Sequence, residues 1–259
     1  MLEIKNLNYG YDYDQKVIDD LSLTLKANSF NSILGSNGSG KSTLCKLIAG
    51  VVRADSGEIT LNGEEIKARD VAIVFQNPID QFVRPTVYDD LAFGLENINM
   101  DVELIHKTIN DYATEFNIRH LLDRSVGNLS GGEKQRVAII SNIMLNPKVL
   151  IMDEATDMLD PITRIDLIEK LKTHAKAQNM ILMYITHDMD LAFSTDNIVI
   201  LKNGDVIATG SPLSIFNNKQ LVEENRLSVP YNVELMKKVC GEYCYTNLLT
   251  FKENYELNT

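Results

Sequence analysis

The fold of this chain is decided by the stretch Gly35-Ser36-Asn37-Gly38-Ser39-Gly40-Lys41-Ser42. It matches the pattern G-x-x-x-x-G-K-[ST], in which a glycine-rich turn wraps phosphate groups with backbone N–H groups. The setting agrees with this interpretation, because the hydrophobic pattern predicts a strand over residues 29–34 and a helix over residues 41–49. The start of that helix adds the positive end of its dipole. The stretch therefore predicts a nucleoside triphosphate site at a strand–turn–helix junction.

Individual roles follow from the chemistry of the motif. Lys41 is placed to reach the β- and γ-phosphates, and Ser42 offers a hydroxyl oxygen to Mg²⁺. We therefore expect a nucleoside triphosphate with Mg²⁺ at this site. The residues expected to contact the nucleotide here are Gly35, Ser36, Asn37, Gly38, Ser39, Gly40, Lys41, Ser42 and Thr43.

Two adjacent carboxylates follow the apolar run at residues 149–152. Ligands of parallel sheets bind at the carboxyl ends of the strands, where these side chains would lie. Asp153 is placed to hold Mg²⁺, directly or through water, and Glu154 is placed to polarise an attacking water as a general base. Many strands end in acidic residues, so the pair gains its meaning from the phosphate-binding loop upstream.

Periodicity divides the chain into three parts. Strands dominate the first 80 residues and begin with an alternating strand over residues 2–7. Apolar residues at spacings of three and four predict helices over 87–95, 102–116 and 132–145. Beyond them, apolar runs at 149–152 and 181–185 flank a helix over 161–177, which indicates a parallel sheet covered on both faces. A hairpin is expected around Asn203-Gly204, and residues 219–259 are interpreted as a small helical extension.

Composition restricts the function classes. The chain has 259 residues and a formal net charge of −11, which disfavours nucleic acid as a partner. No apolar run reaches the ~18 residues of a membrane-spanning helix, and the first residues lack the apolar core of a signal peptide, so we expect a chain that stays in the cytoplasm. Of the three cysteines, Cys240 and Cys244 have a spacing that could hold a metal, but free thiols in a reducing compartment fit better.

A third motif, Leu129-Ser130-Gly131-Gly132-Glu133, stands between the phosphate-binding loop and the carboxylates. Ser130 is a favourable N-cap, and the glycines expose backbone N–H groups at a helix start. With this order of motifs, residues 1–218 resemble the ATP-binding-cassette (ABC) ATPases. The resemblance implies an α/β fold: a P-loop NTPase core with a parallel sheet, an antiparallel β subdomain and an α-helical subdomain at about residues 86–146.

The resemblance also assigns roles to isolated residues. Gln76 matches the glutamine that senses Mg²⁺ and faces the membrane partner, and His187 matches the histidine that contacts the γ-phosphate. Asp160 matches the aspartate of the loop after the carboxylate strand. The implied catalytic set is Glu154, His187 and Gln76, and the implied metal ligands are Ser42, Gln76 and Asp153.

Further nucleotide contacts follow from the resemblance. Ser130, Gly131 and Gly132 would touch phosphate. The nucleotide implied is ATP, and an aromatic residue just after the first strand would stack on its adenine; Tyr9, Tyr11 and Tyr13 compete, and Tyr11 is favoured. The other histidines, His106, His120 and His174, lack such a context and are expected to be solvated.

Two residues depart from the ABC pattern. Glu133 stands where glutamine is usual, and we expect binding to survive because Ser130 and Gly132 are the parts expected to touch phosphate. Asp157 stands where a small residue is common, which adds negative charge near the expected dimer interface and puts the efficiency of this chain's site in question.

The stretch from Phe75-Gln76-Asn77-Pro78 to Phe93-Gly94-Leu95-Glu96-Asn97 resembles the ATPases of energy-coupling factor (ECF) transporters, in particular the first of their two paired ATPases. Such proteins energise uptake of vitamins or of cobalt or nickel ions. The resemblance implies three partners: a second ATPase in a heterodimer, a transmembrane coupling subunit and a substrate-binding membrane subunit. It also implies a peripheral location on the cytoplasmic face of the cell membrane. The alternatives are the ATPase of another ABC importer, a soluble ABC ATPase without a transporter, and a regulatory module that binds ATP without hydrolysis.

Overall fold

The described part of the chain forms two sheets and a group of helices around three hydrophobic clusters. The computed structural model describes residues 1–12, 15–225, 227–230 and 233. The strands are β1 (Leu2–Asp12), β2 (Gln15–Leu25), β3 (Phe30–Leu34), β4 (Ser56–Leu61), β5 (Glu64–Glu65), β6 (Val71–Val74), β7 (Val149–Asp153), β8 (Ile181–Ile185), β9 (Asn197–Lys202) and β10 (Asp205–Gly210). The helices are α1 (Lys41–Ile48), α2 (Val87–Asn97), α3 (Val102–Glu115), α4 (Gly131–Met144), α5 (Pro161–Gln178), α6 (Met189–Phe193), α7 (Pro212–Phe216) and α8 (Lys219–Glu224).

A six-stranded sheet positions the site. Its strand order is β10-β9-β3-β8-β7-β6, in which β10 is antiparallel to β9 and the other pairs are parallel. Both β3 and β8 are buried along their whole length, as expected for central parallel strands. In the register, Ile185 of β8 lies beside Ile33 on one side and Asp153 on the other. The segments that follow β3, β7 and β8 therefore leave the same edge side by side.

A second, antiparallel sheet has the order β2-β1-β4-β5. Its apolar residues and those on one face of the six-stranded sheet enclose α1 in a shared hydrophobic cluster that includes Leu21, Leu44 and Val149. Strand β1 continues to Asp12 through several irregularities in register, well beyond the strand predicted over residues 2–7. This extension carries the end of β1 to the phosphate-binding loop.

Three helices, α2, α3 and α4, pack together beyond β6 and share a hydrophobic cluster with the other face of the large sheet. They agree with the predicted helices to within one or two residues, and the predicted P-loop α/β architecture is confirmed. The domain limits at 86–146 and 218 stay predictions. Of the proposed extension at 219–259, the structure describes α8 and a few following residues. Cys240 and Cys244 lie outside the described residues.

One expectation is wrong. His174 was expected to be solvated, but the residue is only 9% exposed because it lies on the face of α5 that packs against the core. Its ring packs edge-on against Tyr112 and Phe116 of the α3 region, with Nε2 3.4 Å from the Tyr112 hydroxyl. Burial lowers the pKa of His174. Within the described residues, no helix combines the length and the apolar character needed to cross a membrane.

Gly40 ends the phosphate-binding loop and caps α1 with a left-handed backbone at φ 102°. A Cβ at this position would lie 2.9 Å from Ile18 Cδ1 and 3.0 Å from the Val17 carbonyl oxygen on β2. The position therefore requires glycine both for its backbone angle and for the close approach of β2.

We predict that Gly40→Ala destabilises the chain by about 2–4 kcal/mol, since a left-handed alanine costs roughly 1–2 kcal/mol and the contact with β2 adds strain. Gly50→Ala is the matched control: Gly50 also has a positive φ of 69°, but a Cβ there meets nothing within 4 Å. Thermal and urea unfolding of both variants measure the difference. Equal losses for the two variants would contradict the role of the β2 contact.

Candidate nucleotide-binding site

A cleft of about 570 Å³ opens at the carboxyl edge of the large sheet. Such a volume suits a ligand of nucleotide size. The lining brings together predicted site residues that are far apart in the sequence. They are Tyr11, Asn37, Gly38, Gly40, Lys41, Ser42, Thr43, Gln76, Asp153, Glu154 and His187. Val17 and Ile185 also line the cleft, and sequence reasoning missed them because no local pattern marks a strand residue as part of a wall.

The loop is shaped to receive an anion. Gly38 has a φ of 79° and open space where a Cβ would stand, so the backbone can approach a phosphate without hindrance. Lys41 is buried, and its ammonium donates hydrogen bonds to the carbonyl oxygens of Gly35 at 2.8 Å and Ser36 at 3.0 Å. Burial lowers the pKa of Lys41, while the negative charges of Glu154 and Asp153 oppose that shift. The cation is thus held over the loop that phosphates would enter.

Asp153 ends β7 opposite the start of α1. Burial raises the pKa of its carboxyl group, and a hydrogen bond with the Ser42 side chain and the charge of Lys41 partly offset this rise. A hydroxyl and a carboxylate in contact are hard oxygen donors of the kind that Mg²⁺ prefers. No group of three or more acidic, histidine or cysteine side chains among the described residues could hold a metal by itself. These two residues therefore fit an ion that takes its remaining ligands from phosphate oxygens and water.

Glu154 has an unusual backbone. Its φ is 50°, in the left-handed region that non-glycine residues other than asparagine and aspartate seldom adopt, and its N–H donates to the Ile185 carbonyl oxygen at 3.0 Å. Such strain concentrates at functional sites. The Glu154 carboxylate, 18% exposed, lies 2.9 Å from His187 Nε2. The carboxylate predicted to act as a base is therefore oriented by the histidine from the neighbouring strand end.

Of the candidate tyrosines that the structure describes, Tyr11 lines the cleft. Its hydroxyl is 3.3 Å from Thr43 Oγ1, and the residue is 56% exposed, which leaves room for a flat ligand beside it. Tyr9 stands behind it, with the two rings edge-on at 5.2 Å, and packs against the hydrophobic cluster around α1. Tyr13 lies outside the described residues.

Most of the motif at residues 129–133 lies in a second cleft that shares no lining residue with the first. Ser130, Gly131 and Gly132 line it together with Asp160, which caps α5 by accepting the Thr163 N–H at 3.0 Å. Hydrogen bonds from Thr163 hold the pKa of Asp160 below its ordinary value. The start of α4 therefore lies apart from this chain's own phosphate-binding loop.

Comparison with known proteins agrees with this geometry. The profile of the family described as ABC transporter matches residues 18–157. The energy-coupling factor transporter ATP-binding protein EcfA1 of Mycoplasmopsis pulmonis is 39% identical over 249 residues, which cover 93% of this chain and 94% of the relative. The protein of the same name from Streptococcus sanguinis is 37% identical over 264 residues, which cover 98% and 95%.

Solved structures give the same result. One is cbiO1 of Clostridium perfringens, described as part of the ABC transporter complex cbiONQ; it is 32% identical, has a TM-score of 0.77, and the match covers 91% of this chain and 98% of that chain. With a family profile over more than half of the chain and relatives above 30% identity over nearly all of it, the chain belongs to the ABC ATPases, and among them to the ATP-binding proteins of energy-coupling factor transporters.

Proposed function

We propose that this chain binds Mg-ATP in the first cleft and hydrolyses it to drive an ECF importer for vitamins or transition-metal ions. The observation that carries the proposal is the meeting of Lys41, Asp153, Glu154 and His187 in one cleft of a chain whose relatives are ECF ATPases. The site retains the carboxylate and the histidine that a module without hydrolysis would be free to lose, and this favours an active ATPase.

Each side chain has a separate task in the reaction. Lys41 leaves the loop carbonyls to bind phosphate oxygens and stabilises the charge that develops on them. The Glu154 carboxylate orients and polarises water for in-line attack on the γ-phosphate, and His187 fixes that carboxylate or contacts the γ-phosphate itself. Ser42 and Asp153, with Gln76 at the rim, would hold Mg²⁺, which supplies charge neutralisation when bound.

Two chains are needed to complete one site. The first cleft is open, and the N–H groups of the α4 start lie in the second cleft. A second ATPase turned towards this chain would cover each nucleotide with the other chain's Ser130 region. Bound ATP then holds the two chains together in a closed dimer, and hydrolysis allows the dimer to reopen. The closed state is favoured because some contacts with ATP exist only in that state.

An exposed apolar surface beside Gln76 suits the membrane subunit. Phe75, Ile79 and Val83 are all exposed near the start of α2. We propose that they receive a transmembrane coupling subunit, which in turn carries the substrate-binding membrane subunit, and that the chain works at the cytoplasmic face of the membrane. Purification of the tagged chain from native membranes, with identification of the subunits that accompany it, tests this assembly. Recovery of the chain without any membrane subunit would contradict it.

We predict that Lys41→Ala lowers ATP turnover by at least 10²-fold. The reason is that the loss of a charged donor to a transferring phosphoryl group costs roughly 3–4 kcal/mol. Steady-state hydrolysis by the purified complex measures the effect. Lys26→Ala, which removes an exposed lysine outside the cleft lining, is the control and should stay near the wild-type rate. Wild-type turnover by Lys41→Ala would contradict the assignment of the loop.

We predict that Glu154→Gln slows the chemical step by roughly 10²–10⁴-fold while ATP binding survives, because the amide keeps the shape but loses most of the basicity. The closed dimer should then persist in Mg-ATP, as measured by size-exclusion chromatography together with turnover. The control is Asp190→Asn, which removes an exposed carboxylate nearby. Because a partner ATPase can keep its own site active, dimer lifetime decides the result: unchanged lifetime and unchanged rate would show that Glu154 is not the base.

We predict that Val83→Glu releases the chain from the membrane complex without unfolding it. Val83 is 65% exposed, so a charge there should change stability by no more than about 0.5 kcal/mol. Phe82 is a different case, since it packs against the helical cluster and its substitution would lower stability as well. Co-purification and thermal melts measure the two effects. Val51→Glu, at a 59% exposed position after α1, is the control, and equal complex recovery for both variants would exclude the proposed docking surface.

A further inference from the structure

Glu133 is held tightly at the start of α4. Its Oε2 accepts the Ser130 N–H at 2.8 Å, while the Glu133 N–H donates to Ser130 Oγ at 3.3 Å. Hydrogen bonds from the backbone and the hydroxyl of Ser130 hold the pKa of Glu133 below its ordinary value, with smaller contributions from the positive charges of Arg124 and His120. The carboxylate is therefore ionised at neutral pH and lies against the turn whose donors would face a phosphate.

This arrangement has a cost for anion binding. A unit negative charge beside Ser130 repels an incoming triphosphate by Coulomb interaction, which a neutral glutamine at the same position would not do. The carboxylate also occupies the Ser130 N–H, one of the donors at this turn. A compensating positive charge close to Glu133 would remove most of this penalty.

Arg124 supplies such a charge. Its Nη1 lies 3.5 Å from Glu133 Oε1, the oxygen that does not accept the Ser130 N–H. The two carboxylate oxygens thus have separate partners, one capping the turn and the other facing the guanidinium. Lys134 follows Glu133 in sequence, but the ion pair of Glu133 is formed with Arg124.

The backbone of Arg124 is fixed to the start of α2. Its carbonyl oxygen accepts the Val87 N–H at 3.1 Å, and its own N–H donates to Leu121 at 2.9 Å. The next residue, Ser125, forms a bridge with Thr86. Arg124 therefore reaches Glu133 from a backbone position that is hydrogen-bonded to the start of α2.

We propose that Arg124 is a positioning residue of the phosphate-facing turn: it neutralises Glu133 and orients its carboxylate, so that Ser130 and the α4 N-terminus can bind the γ-phosphate of ATP held by the partner ATPase. The inference rests on the proposed two-chain site. It assigns to Arg124 the role of making glutamate acceptable at the position where glutamine is usual.

Stability is a poor measure of this pair. The side chains are 52% and 26% exposed, and exposed ion pairs contribute little to folding. The effect belongs to ATP binding, because the charge of Glu133 meets a triphosphate only when the dimer closes. A structural role and an electrostatic role therefore predict different measurements.

The experiment uses the full-length chain purified with its associated subunits and follows hydrolysis against Mg-ATP concentration. Arg124→Gln should raise KM roughly 3- to 10-fold, the range expected for one charge near a surface phosphate, with kcat changed by less than about twofold. Arg124→Lys should retain most of the wild-type KM. Arg119→Gln, which removes an exposed arginine from the same connection, is the matched control and should leave KM unchanged.

Rescue separates charge from structure. In the Arg124→Gln background, Glu133→Gln removes the uncompensated carboxylate and should return KM to within about twofold of wild type. A double variant as impaired as Arg124→Gln, or a melting temperature that falls with the KM defect, would overturn the proposal in favour of a packing role. An active wild-type complex with unchanged KM in Arg124→Gln would overturn this inference alone, whereas a wild-type complex without ATPase activity would overturn the proposed function and this inference with it.

Discussion

The phosphate-binding loop depends on direct packing of backbone against backbone where the two sheets meet. A Cβ on Gly204, in the β9–β10 turn, would lie 2.4 Å from the Val17 carbonyl oxygen of β2, and one on Gly40 would lie 3.0 Å from the same oxygen. The Gly204 N–H donates to the Ser39 carbonyl oxygen at 3.1 Å, and its carbonyl accepts the Asp19 N–H. Glycine is required because any side chain would separate these strands, and the loop would lose the support that fixes its N–H groups before a ligand arrives.

From this support, the sheet distributes the chemistry. Parallel strands place Asp153, Glu154 and His187 beside the loop because their strand ends are neighbours in the register. The same topology places Ser130 in a different cleft, because α4 packs with α2 and α3 against the other face of the large sheet. In the function proposed above, one chain supplies the phosphate-binding loop and the carboxylate base, while the Ser130 region that would cover the nucleotide lies in the other cleft. This separation is the structural reason for proposing that a second chain takes part in the reaction.

Local patterns in the sequence predicted the parts of the site that depend on local structure. The glycine spacing, the apolar run before Asp153 and the N-cap at Ser130 each determine geometry within a few residues. What the sequence could not predict depends on distant contacts: the extension of β1 that brings Tyr11 to Thr43, and the burial of His174 beneath α3. The left-handed backbone of Glu154 belongs to the same class, because the hydrogen bond to Ile185 comes from a strand 31 residues away.

An acidic chain that binds a triphosphate must overcome the electrostatic repulsion between its own net negative charge and the ligand. The net charge of −11 acts at long range and is screened beyond about 8 Å at physiological salt, whereas contacts in the clefts act within hydrogen-bond distance. Each cleft also contains a basic side chain beside its carboxylates. Lys41 lies in the first cleft, and Arg136 lines the second while its guanidinium donates to the Phe116 and Asn117 carbonyl oxygens. Arg124 beside Glu133 follows the same rule. Selection of the ligand therefore depends on the few cations and backbone dipoles that each cleft fixes, and the total charge of the chain has little influence on it.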